Sequence, residues 1–337
     1  MARSLVTIDL GALRRNTAHL IDVLDGAELW AVVKADAYGH GAVDCGRAAL
    51  EAGAAALCVA TLPEALELRA ALPEARLLVM GPTDRLADAR DARLELVVAG
   101  EEIPEGVPVH VKLDTGMGRW GLGELVQPSR NVVGLMSHLA SADTDGAFTE
   151  HQVERFRELT DPYASLTRHL ANSAGALHFP STRFDAARCG IALYGLSPFR
   201  RDPAEDGLEP VLRWESELAQ VKRLRPGEST GYGRRYVAEE ETWIGIVPVG
   251  YADGFRRDLT GTKVLVAGER RPVVGTISMD ALAVELYGEL PAGTPVTLVG
   301  DGLLLEEHAE VAGTINYELA CEINGDPRRA ERRIIGA

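Results

Sequence analysis

The chain has 337 residues, more than one typical domain, so two domains are expected. Its net charge is −15, with 50 acidic against 35 basic residues, which argues against nucleic acid or an anionic membrane surface as a partner. The four cysteines are widely spaced and show no metal-ligand spacing, so we expect no metal site and free thiols in a reducing cytoplasm. We also expect neither a signal peptide nor a membrane span, since no apolar segment has the required length.

From the N-terminal end, short apolar runs alternate with helical patterns. Strands are predicted at residues 29–34, 56–60, 76–80, 94–99, 108–113, 132–138, 166–170 and 184–188. Helices are predicted at residues 10–24, 42–52, 63–72, 85–92, 148–159 and 173–177. Only a stub of helix is expected after the fourth strand. This alternation predicts an α/β fold, a (β/α)8 TIM barrel that occupies residues 1–211.

The pattern changes beyond about Leu212. Helical periodicity disappears, and Gly/Pro turns separate strand-like runs at residues 243–249, 263–266, 281–286 and 295–299. A proline-rich, charged segment at 198–210 is the predicted linker. We therefore expect residues 212–337 to form a C-terminal, mostly-β domain.

Lys34 ends the first predicted strand, in the sequence AVVKADAYGHG. An amine at this place leaves the core next to Tyr38 and His40, and a desolvated, partly deprotonated lysine is a usable nucleophile. The alternative is an ordinary surface lysine at a strand end.

Other polar residues also follow the predicted strands, where a barrel of this kind carries its active site. The fifth strand carries Lys112, followed by Asp114 and Arg119, and the sixth ends at His138. The last two strands are followed or ended by His169, Asn172, Ser173, Arg188, Gly190 and Ile191. Such convergence from separate parts of the chain indicates an enzyme.

The residues after the last two strands suggest a phosphate site. Ser173 opens a helix, and Gly190 and Ile191 follow the eighth strand, where barrels often bind phosphate through free N–H groups. For Ser173 the alternative is a plain N-cap. A lysine, a phosphate site and the Tyr38 hydroxyl together fit pyridoxal 5′-phosphate held as a Schiff base on Lys34.

Two further expectations follow from that cofactor. Arg188 would face the pyridine nitrogen with His169 behind it, although His169 could instead be a buried core histidine. Lys112 and Arg119 cannot both be buried cations without an anion between them. Either Asp114 supplies that anion, or Lys112 is carbamylated and becomes an anion itself.

Seven motifs in this order resemble the alanine racemase family. They are AVVKADAYGHG, HVKLDTGMGRWG, HLANSAG, RCGIALYG, GYADGF, ISMD and INYE, and they extend from residue 31 to residue 318. The resemblance implies a barrel with a C-terminal β domain and a head-to-tail homodimer. It also implies that L-alanine and D-alanine are interconverted, which supplies D-alanine for peptidoglycan precursors.

The resemblance also implies residue roles. Lys34 matches the cofactor lysine and first base, and the partner subunit's Tyr232 matches the second base. Arg188 and His169 match the pair at the pyridine nitrogen. Tyr38, Asn172, Ser173, Gly190, Ile191 and Tyr317 match the cofactor and phosphate site. Lys112 matches a carbamylated lysine paired with Arg119, His138 matches the histidine behind the tyrosine, and Met279 and Tyr251 match the substrate contact and the entryway.

Two positions depart from the family pattern. Cys189 stands where proline is usual, and Thr276 replaces an arginine of the entry corridor. These departures leave open a broader racemase acting on serine or basic amino acids. Two other classes of protein agree less well with the sequence. A barrel-type decarboxylase lacks support because its catalytic cysteine motif is not found, and a non-catalytic single-barrel cofactor carrier would lack the second domain.

Overall fold

The computed structural model describes residues 3–125 and 128–337. They form two compact units: Gly11–Glu209 is one, and the segment up to Leu10 joins Pro210–Ala337 in the other. The first strand, β1 (Leu5–Asp9), is part of the second unit.

Eight parallel strands of the first unit close into a barrel, which confirms the predicted TIM-barrel fold. The strands Ala56–Val59, Val109–Lys112 and Ala186–Cys189 are buried at every position, as expected in a parallel sheet covered on both faces, although two of them carry the polar side chains His110, Lys112 and Arg188. The barrel strands are β2 (Glu28–Val32), β3 (Ala56–Val59), β4 (Leu77–Val79), β5 (Glu95–Val98), β6 (Val109–Lys112), β7 (Val132–Met136), β8 (Thr167–His169) and β9 (Ala186–Cys189).

Side-chain caps mark the start of some helices of this unit, whereas Ala42–Glu51 and Leu86–Asp91 begin without one. Thr61 and Glu64 form a capping box at the start of α4, and Asp145 accepts a hydrogen bond from the backbone N–H of Phe148 in α6. The expected stub of helix after β5 is not formed, because residues 99–108 are turns and irregular backbone. The helices are α1 (Leu10–Leu24), α2 (Lys34–Tyr38), α3 (Ala42–Glu51), α4 (Leu62–Ala71), α5 (Leu86–Asp91), α6 (Gly146–Thr160) and α7 (Ser173–His178).

The second unit is built on a nine-stranded sheet in the order β11-β14-β17-β16-β15-β18-β10-β1-β19, and β12 and β13 form a separate ribbon. It also contains two helices, α8 (Leu305–Ala312) and α9 (Asn316–Glu322), so the expectation that helical periodicity ends near residue 212 was wrong. Its other strands are β10 (Leu212–Glu217), β11 (Gln220–Leu224), β12 (Ser229–Thr230), β13 (Tyr236–Val237), β14 (Thr242–Val247), β15 (Lys263–Val266), β16 (Glu269–Val274), β17 (Leu282–Leu286), β18 (Pro295–Val299) and β19 (Glu331–Ile335).

The N-terminal strand differs from the expected organisation. Leu5 lies opposite Glu215 in an antiparallel pair and opposite Glu331 in a parallel pair, so β1 is hydrogen-bonded on both sides within the second unit. The expectation that residues 1–211 form the barrel therefore does not describe this strand.

Two features are absent from the described part of the chain. None of its helices combines the length and the apolarity needed to cross a membrane. In residues 3–125 and 128–337, no group of three or more His, Cys, Asp or Glu side chains is arranged to hold a metal ion.

Candidate active site

Lys34 lies just beyond the C-terminal end of β2, where the chain leaves the barrel. It starts a turn in which Ala35, Asp36, Ala37 and Tyr38 all have positive φ, between 50° and 54°. Each non-glycine residue in this left-handed region costs about 1–2 kcal/mol. A turn of this kind persists only when its surroundings hold it.

Neighbouring groups hold the left-handed turn. The backbone N–H of Ala35 donates to Glu64 Oε1 at 2.7 Å, and Asp36 Oδ1 accepts from the N–H of Ala42 at 2.7 Å. His40 Nδ1 lies within 3.0 Å of the carbonyl oxygens of Ala37 and Tyr38. These contacts fix the backbone that positions Lys34 and Tyr38.

A cradle forms between Tyr38, Ser173 and the start of the segment after β9. Ser173 Oγ accepts from the backbone N–H of Gly190 at 3.1 Å and from that of Ala192 at 3.4 Å. A Cβ added to Gly190 would lie 2.5 Å from Tyr38 Oη, so only glycine leaves room for the tyrosine. Ile191 is buried and begins the short 3₁₀ helix Ile191–Tyr194.

Ser173 was interpreted either as a plain helix N-cap or as a phosphate contact. The N-cap of α7 is Asn172, whose Oδ1 accepts from the N–H of Gly175 at 2.9 Å, and Ser173 is the first helical residue. The plain N-cap alternative for Ser173 is therefore wrong. Its hydroxyl is free of capping and contacts the Gly190 loop instead.

Arg188, in β9, is buried and is surrounded by acceptors at the mouth of the barrel. Its Nη1 donates to the carbonyl of His169 at 2.7 Å and to His169 Nδ1 at 2.8 Å. Its Nη2 donates to the carbonyl of Ser137 at 2.7 Å and lies 3.4 Å from His138 Nδ1. Burial lowers the pKa of Arg188 to about 10, which leaves it protonated at neutral pH.

Lys112 ends β6 in a strongly positive environment. Burial, followed by the charges of Arg119 and Arg188, lowers its pKa to about 8. Its Nζ lies 5.6 Å from the centre of the Trp120 ring, and the guanidinium carbon of Arg119 lies 5.8 Å from the same ring. Carbamylation of the neutral amine would place an anion among these cations.

Asp114 is engaged in the loop that follows β6. Its carboxylate accepts from the backbone N–H groups of Gly116 at 2.9 Å and Gly118 at 3.1 Å. Its charge raises the pKa of Lys112, but by less than burial and the two arginines lower it. Asp114 is therefore primarily a turn-forming residue.

His138 is a neutral histidine in this cluster. Burial and the charges of Arg188, Lys112, Arg119 and Lys34 hold its pKa well below the usual value. Arg188 lies on its Nδ1 side, so the ring proton belongs on Nε2.

The remaining candidates belong to the second unit and are largely exposed. Tyr232 is 72 % exposed in the turn between β12 and β13, Met279 is 52 % exposed and Tyr251 is 42 % exposed. Tyr251 and Met279 lie on adjacent loops, joined by hydrogen bonds from the N–H of Tyr251 to Ser278 and from that of Ala252 to Met279. Tyr317 is half-buried in α9.

The two departures from the family pattern have clear local roles. Thr276 is buried, and its Oγ1 donates to the carbonyl of Tyr232 at 2.9 Å, which ties the Tyr232 turn to the loop before Met279. Cys189 is a buried thiol whose pKa burial raises to about 12, and its side chain is hydrogen-bonded to Ser173. Neither residue adds a charge.

Three residues behind Arg188 were not predicted to have a role: His110, Glu95 and Gly134. His110 is two residues before Lys112 on β6, and strand alternation places both on the same face. The spacing from Lys112 could therefore have pointed to His110. No comparable signal pointed to Glu95.

Comparisons with known proteins agree along the whole chain. A family model described as the N-terminal domain of alanine racemase matches residues 8–198, and one for its C-terminal domain matches residues 211–332. The alanine racemase of Lactiplantibacillus plantarum is 40% identical, with 94% of each chain covered. That of Geobacillus stearothermophilus is 40% identical over 94% of this chain and 90% of its own. The crystal structure of the enzyme from Streptomyces lavendulae superposes with a TM-score of 0.92 at 36% identity and covers 100% of this chain and 98% of its own.

Proposed function

This chain belongs to the alanine racemase family, and we propose that it interconverts L-alanine and D-alanine with pyridoxal 5′-phosphate and two bases, Lys34 and the partner subunit's Tyr232. The observation that carries the proposal is the clustering of Lys34, the Tyr38–Gly190–Ser173 cradle and Arg188 at one end of a single barrel.

The residues present fit the cofactor. The cradle is bounded by two hydroxyl groups and backbone N–H groups, and the absence of a side chain at Gly190 lets the Tyr38 hydroxyl approach them. Donors of this kind suit a phosphate. We assign the phosphate to Tyr38, Ser173, Gly190, Ile191 and Tyr317, with Asn172 fixing the start of α7.

When bound through Lys34, pyridoxal 5′-phosphate supplies the electron withdrawal that acidifies the Cα–H of an amino acid. Arg188 is the group assigned to its pyridine nitrogen. A guanidinium there would donate a hydrogen bond and keep its own proton, because its pKa of about 10 is far above neutral pH. Such a contact would restrain electron withdrawal and disfavour side reactions such as transamination.

Inversion at Cα requires a proton to leave one face and another to arrive on the opposite face. Lys34 Nζ serves one face and Tyr232 Oη serves the other, and they exchange roles when the direction of reaction reverses. His138, neutral and with its proton on Nε2, is assigned to support the tyrosine.

The substrate carboxylate is assigned to Arg119 and to the backbone N–H of Met279. A carbamylated Lys112 would hold Arg119 in place and offset the positive charge of the cluster. Tyr251 is assigned to the entryway.

A homodimer completes each site in this proposal. Tyr232, Tyr251 and Met279 are large side chains left exposed on one chain, and grouped exposed apolar side chains are typical of an interaction surface. The product D-alanine would supply peptidoglycan precursors.

The test is incubation of the purified protein and pyridoxal 5′-phosphate with L-alanine. Loss of circular dichroism without release of carbon dioxide supports the racemase, and release of carbon dioxide would identify a decarboxylase instead. Racemisation of serine, lysine or arginine at a rate equal to that of alanine would replace the proposal by a broader racemase. Lys34→Ala should abolish the reaction.

A further inference from the structure

A chain of hydrogen bonds extends from Arg188 through the barrel interior to the opposite end of β5. Arg188 Nη1 contacts His169 Nδ1 at 2.8 Å, and His169 Nε2 contacts His110 Nδ1 at 2.8 Å. His110 Nε2 then contacts Glu95 Oε2 at 2.8 Å. Glu95 is the first residue of β5, at the end of the barrel away from Lys34.

In this series of hydrogen bonds every group donates its proton towards Glu95. Arg188 can only donate, so His169 accepts at Nδ1 and carries its proton on Nε2. His110 must then accept at Nδ1 and donate from Nε2 to the carboxylate. Burial lowers the pKa of both histidines, so each ring carries a single proton.

The carboxylate end is fixed by Arg76. Its Nε donates to Glu95 Oε1 at 2.8 Å, and its Nη2 donates to Oε2 at 3.0 Å. Burial alone would raise the pKa of Glu95, but the hydrogen bonds from His110 and Arg76 outweigh it and lower the pKa to about 2. Glu95 is therefore an acceptor at both oxygens at neutral pH.

Packing holds the two imidazoles in these orientations. Trp30 lies with its ring centre 5.5 Å from that of His110 and 4.5 Å from that of His169. On β7, a Cβ added to Gly134 would lie 2.2 Å from His110 Nδ1, so the ring occupies space that only a glycine leaves. Both rings are therefore in contact with Trp30, and His110 also lies directly against the Gly134 backbone.

We propose that Glu95 and His110 are positioning residues for the site at the mouth, because the carboxylate accepts the proton that His110 carries on Nε2 and so holds both imidazoles, and through His169 the Arg188 guanidinium, in one orientation. The catalytic consequence rests on the proposed function. The tautomers do not depend on it.

Glu95→Leu removes the acceptor of the His110 Nε2–H, whereas Glu95→Gln keeps one carbonyl oxygen. Arg76 Nε and Nη2 contact different oxygens of Glu95, and His110 shares Oε2 with Nη2, so an amide with its oxygen at the Oε2 position still accepts from His110. In Glu95→Leu the His110 Nε2–H loses this hydrogen bond, and the ring is held only by its packing and by His169. The matched control is Glu28→Gln, since Glu28 also accepts from Arg76, at 3.4 Å, but contacts no histidine.

The measurement is ¹⁵N–¹H spectroscopy of the histidine rings in the full-length holoenzyme, assigned with His110→Gln and His169→Gln. We expect the Nε2–H tautomer for both rings in the wild type, Glu28→Gln and Glu95→Gln, with the His110 Nε2–H signal hydrogen-bonded and slow to exchange with water. In Glu95→Leu this signal should shift or disappear, and kcat should fall about tenfold or more, as loss of one charge-assisted hydrogen bond suggests, with KM changed much less.

A Glu95→Leu protein that keeps the His110 Nε2–H signal unchanged would overturn the proposal, as would loss of that signal with an unchanged kcat. A wild type that shows the expected tautomers but does not racemise alanine would contradict the proposed function alone.

Gly134→Ala provides a second variant that alters no polar group. It should displace His110 and lower kcat, with the His169 signal shifted. Gly100→Ala, at a position with open space around it, should behave as the wild type. An active Gly134→Ala protein with both ring signals unchanged would also overturn the proposal.

Discussion

The hydroxyl of Tyr38 occupies the space that a side chain at Gly190 would need, since a Cβ there would lie 2.5 Å from Oη and 2.9 Å from Cζ. The tyrosine ring cannot retreat freely, because it packs against Tyr194 with ring centres 5.1 Å apart. Tyr38 and Gly190 therefore form the cradle together.

Gly190→Ala should weaken cofactor binding about tenfold or more by displacing a phosphate donor from the cradle. The measurement is titration of the visible absorption band of the purified protein with pyridoxal 5′-phosphate. Gly288→Ala, which meets no atom within 4 Å, is the control and should bind normally. If Gly190→Ala binds pyridoxal 5′-phosphate with normal affinity, the assignment of the cradle as the phosphate site is wrong.

The left-handed turn after Lys34 predicts an unusual response to glycine. Ala35 is exposed with φ 52°, so Ala35→Gly relieves about 1–2 kcal/mol of strain and costs about 0.4–1 kcal/mol through the unfolded chain. The free energy of unfolding should therefore stay equal or rise by up to about 1.6 kcal/mol. Denaturant unfolding provides the measurement.

The same change in a right-handed helix is the control for this turn. Ala18 is exposed in the middle of α1, and Ala18→Gly should lower the free energy of unfolding by about 1 kcal/mol. Equal losses in the two variants would show that the turn after Lys34 is not left-handed in solution.

Lys112 predicts a pH dependence of stability. Its pKa is about 8 in the folded protein against an ordinary 10.5, so between these values the unfolded chain binds more protons. The stability of carbon-dioxide-free protein should therefore rise as the pH increases from about 8 towards 10.5, and this rise should be absent in Lys112→Met. The measurement is thermal unfolding at pH values from about 8 to 10.5. Lys222→Met is the control for loss of an exposed lysine.

Carbamylation of Lys112 can be detected directly. Only the neutral amine reacts with carbon dioxide, and the lowered pKa increases its fraction at neutral pH. With ¹³C-bicarbonate, a carbamate carbon signal is expected in the wild type and in Lys222→Met but not in Lys112→Met. A wild-type spectrum without this signal would leave Lys112 as an ammonium group.

The sequence was sufficient for the barrel because its strands are local apolar runs with clear turn signals. It was insufficient for β1, whose partners Glu215 and Glu331 lie more than two hundred residues away. Pairing over such a distance leaves no periodicity near Leu5. The two helices of the second unit were missed because they are short and lie among turn-rich segments.

The candidate site shows the same division. Lys34, Ser173 and Arg188 could be predicted because strand ends are visible in the sequence and share one end of a barrel. The left-handed turn could not be predicted from the sequence, because Ala35, Asp36 and Ala37 include no glycine to mark a positive φ. Contacts supplied by Glu64 and Ala42 impose that conformation, and these become visible only in three dimensions.

The proposed shared site predicts complementation between two inactive variants. Lys34→Ala removes one base and Tyr232→Phe removes the other, so each homodimer alone has two defective sites. After subunits exchange, a mixed dimer has one site with both lesions and one with neither, because a two-fold axis relates the two sites. Random exchange makes about half of the dimers mixed, so racemisation should recover to about a quarter of the wild-type rate.

The mixture is assayed after exchange has been demonstrated with differently tagged subunits, and each variant is incubated alone in parallel. Tyr287→Phe is the control for loss of an exposed tyrosine of the same unit and should stay active by itself. A mixture that exchanges subunits but stays inactive would mean that Tyr232 acts within its own chain or is not a base. Recovery near a quarter would instead require that each site combines Lys34 of one chain with Tyr232 of the other.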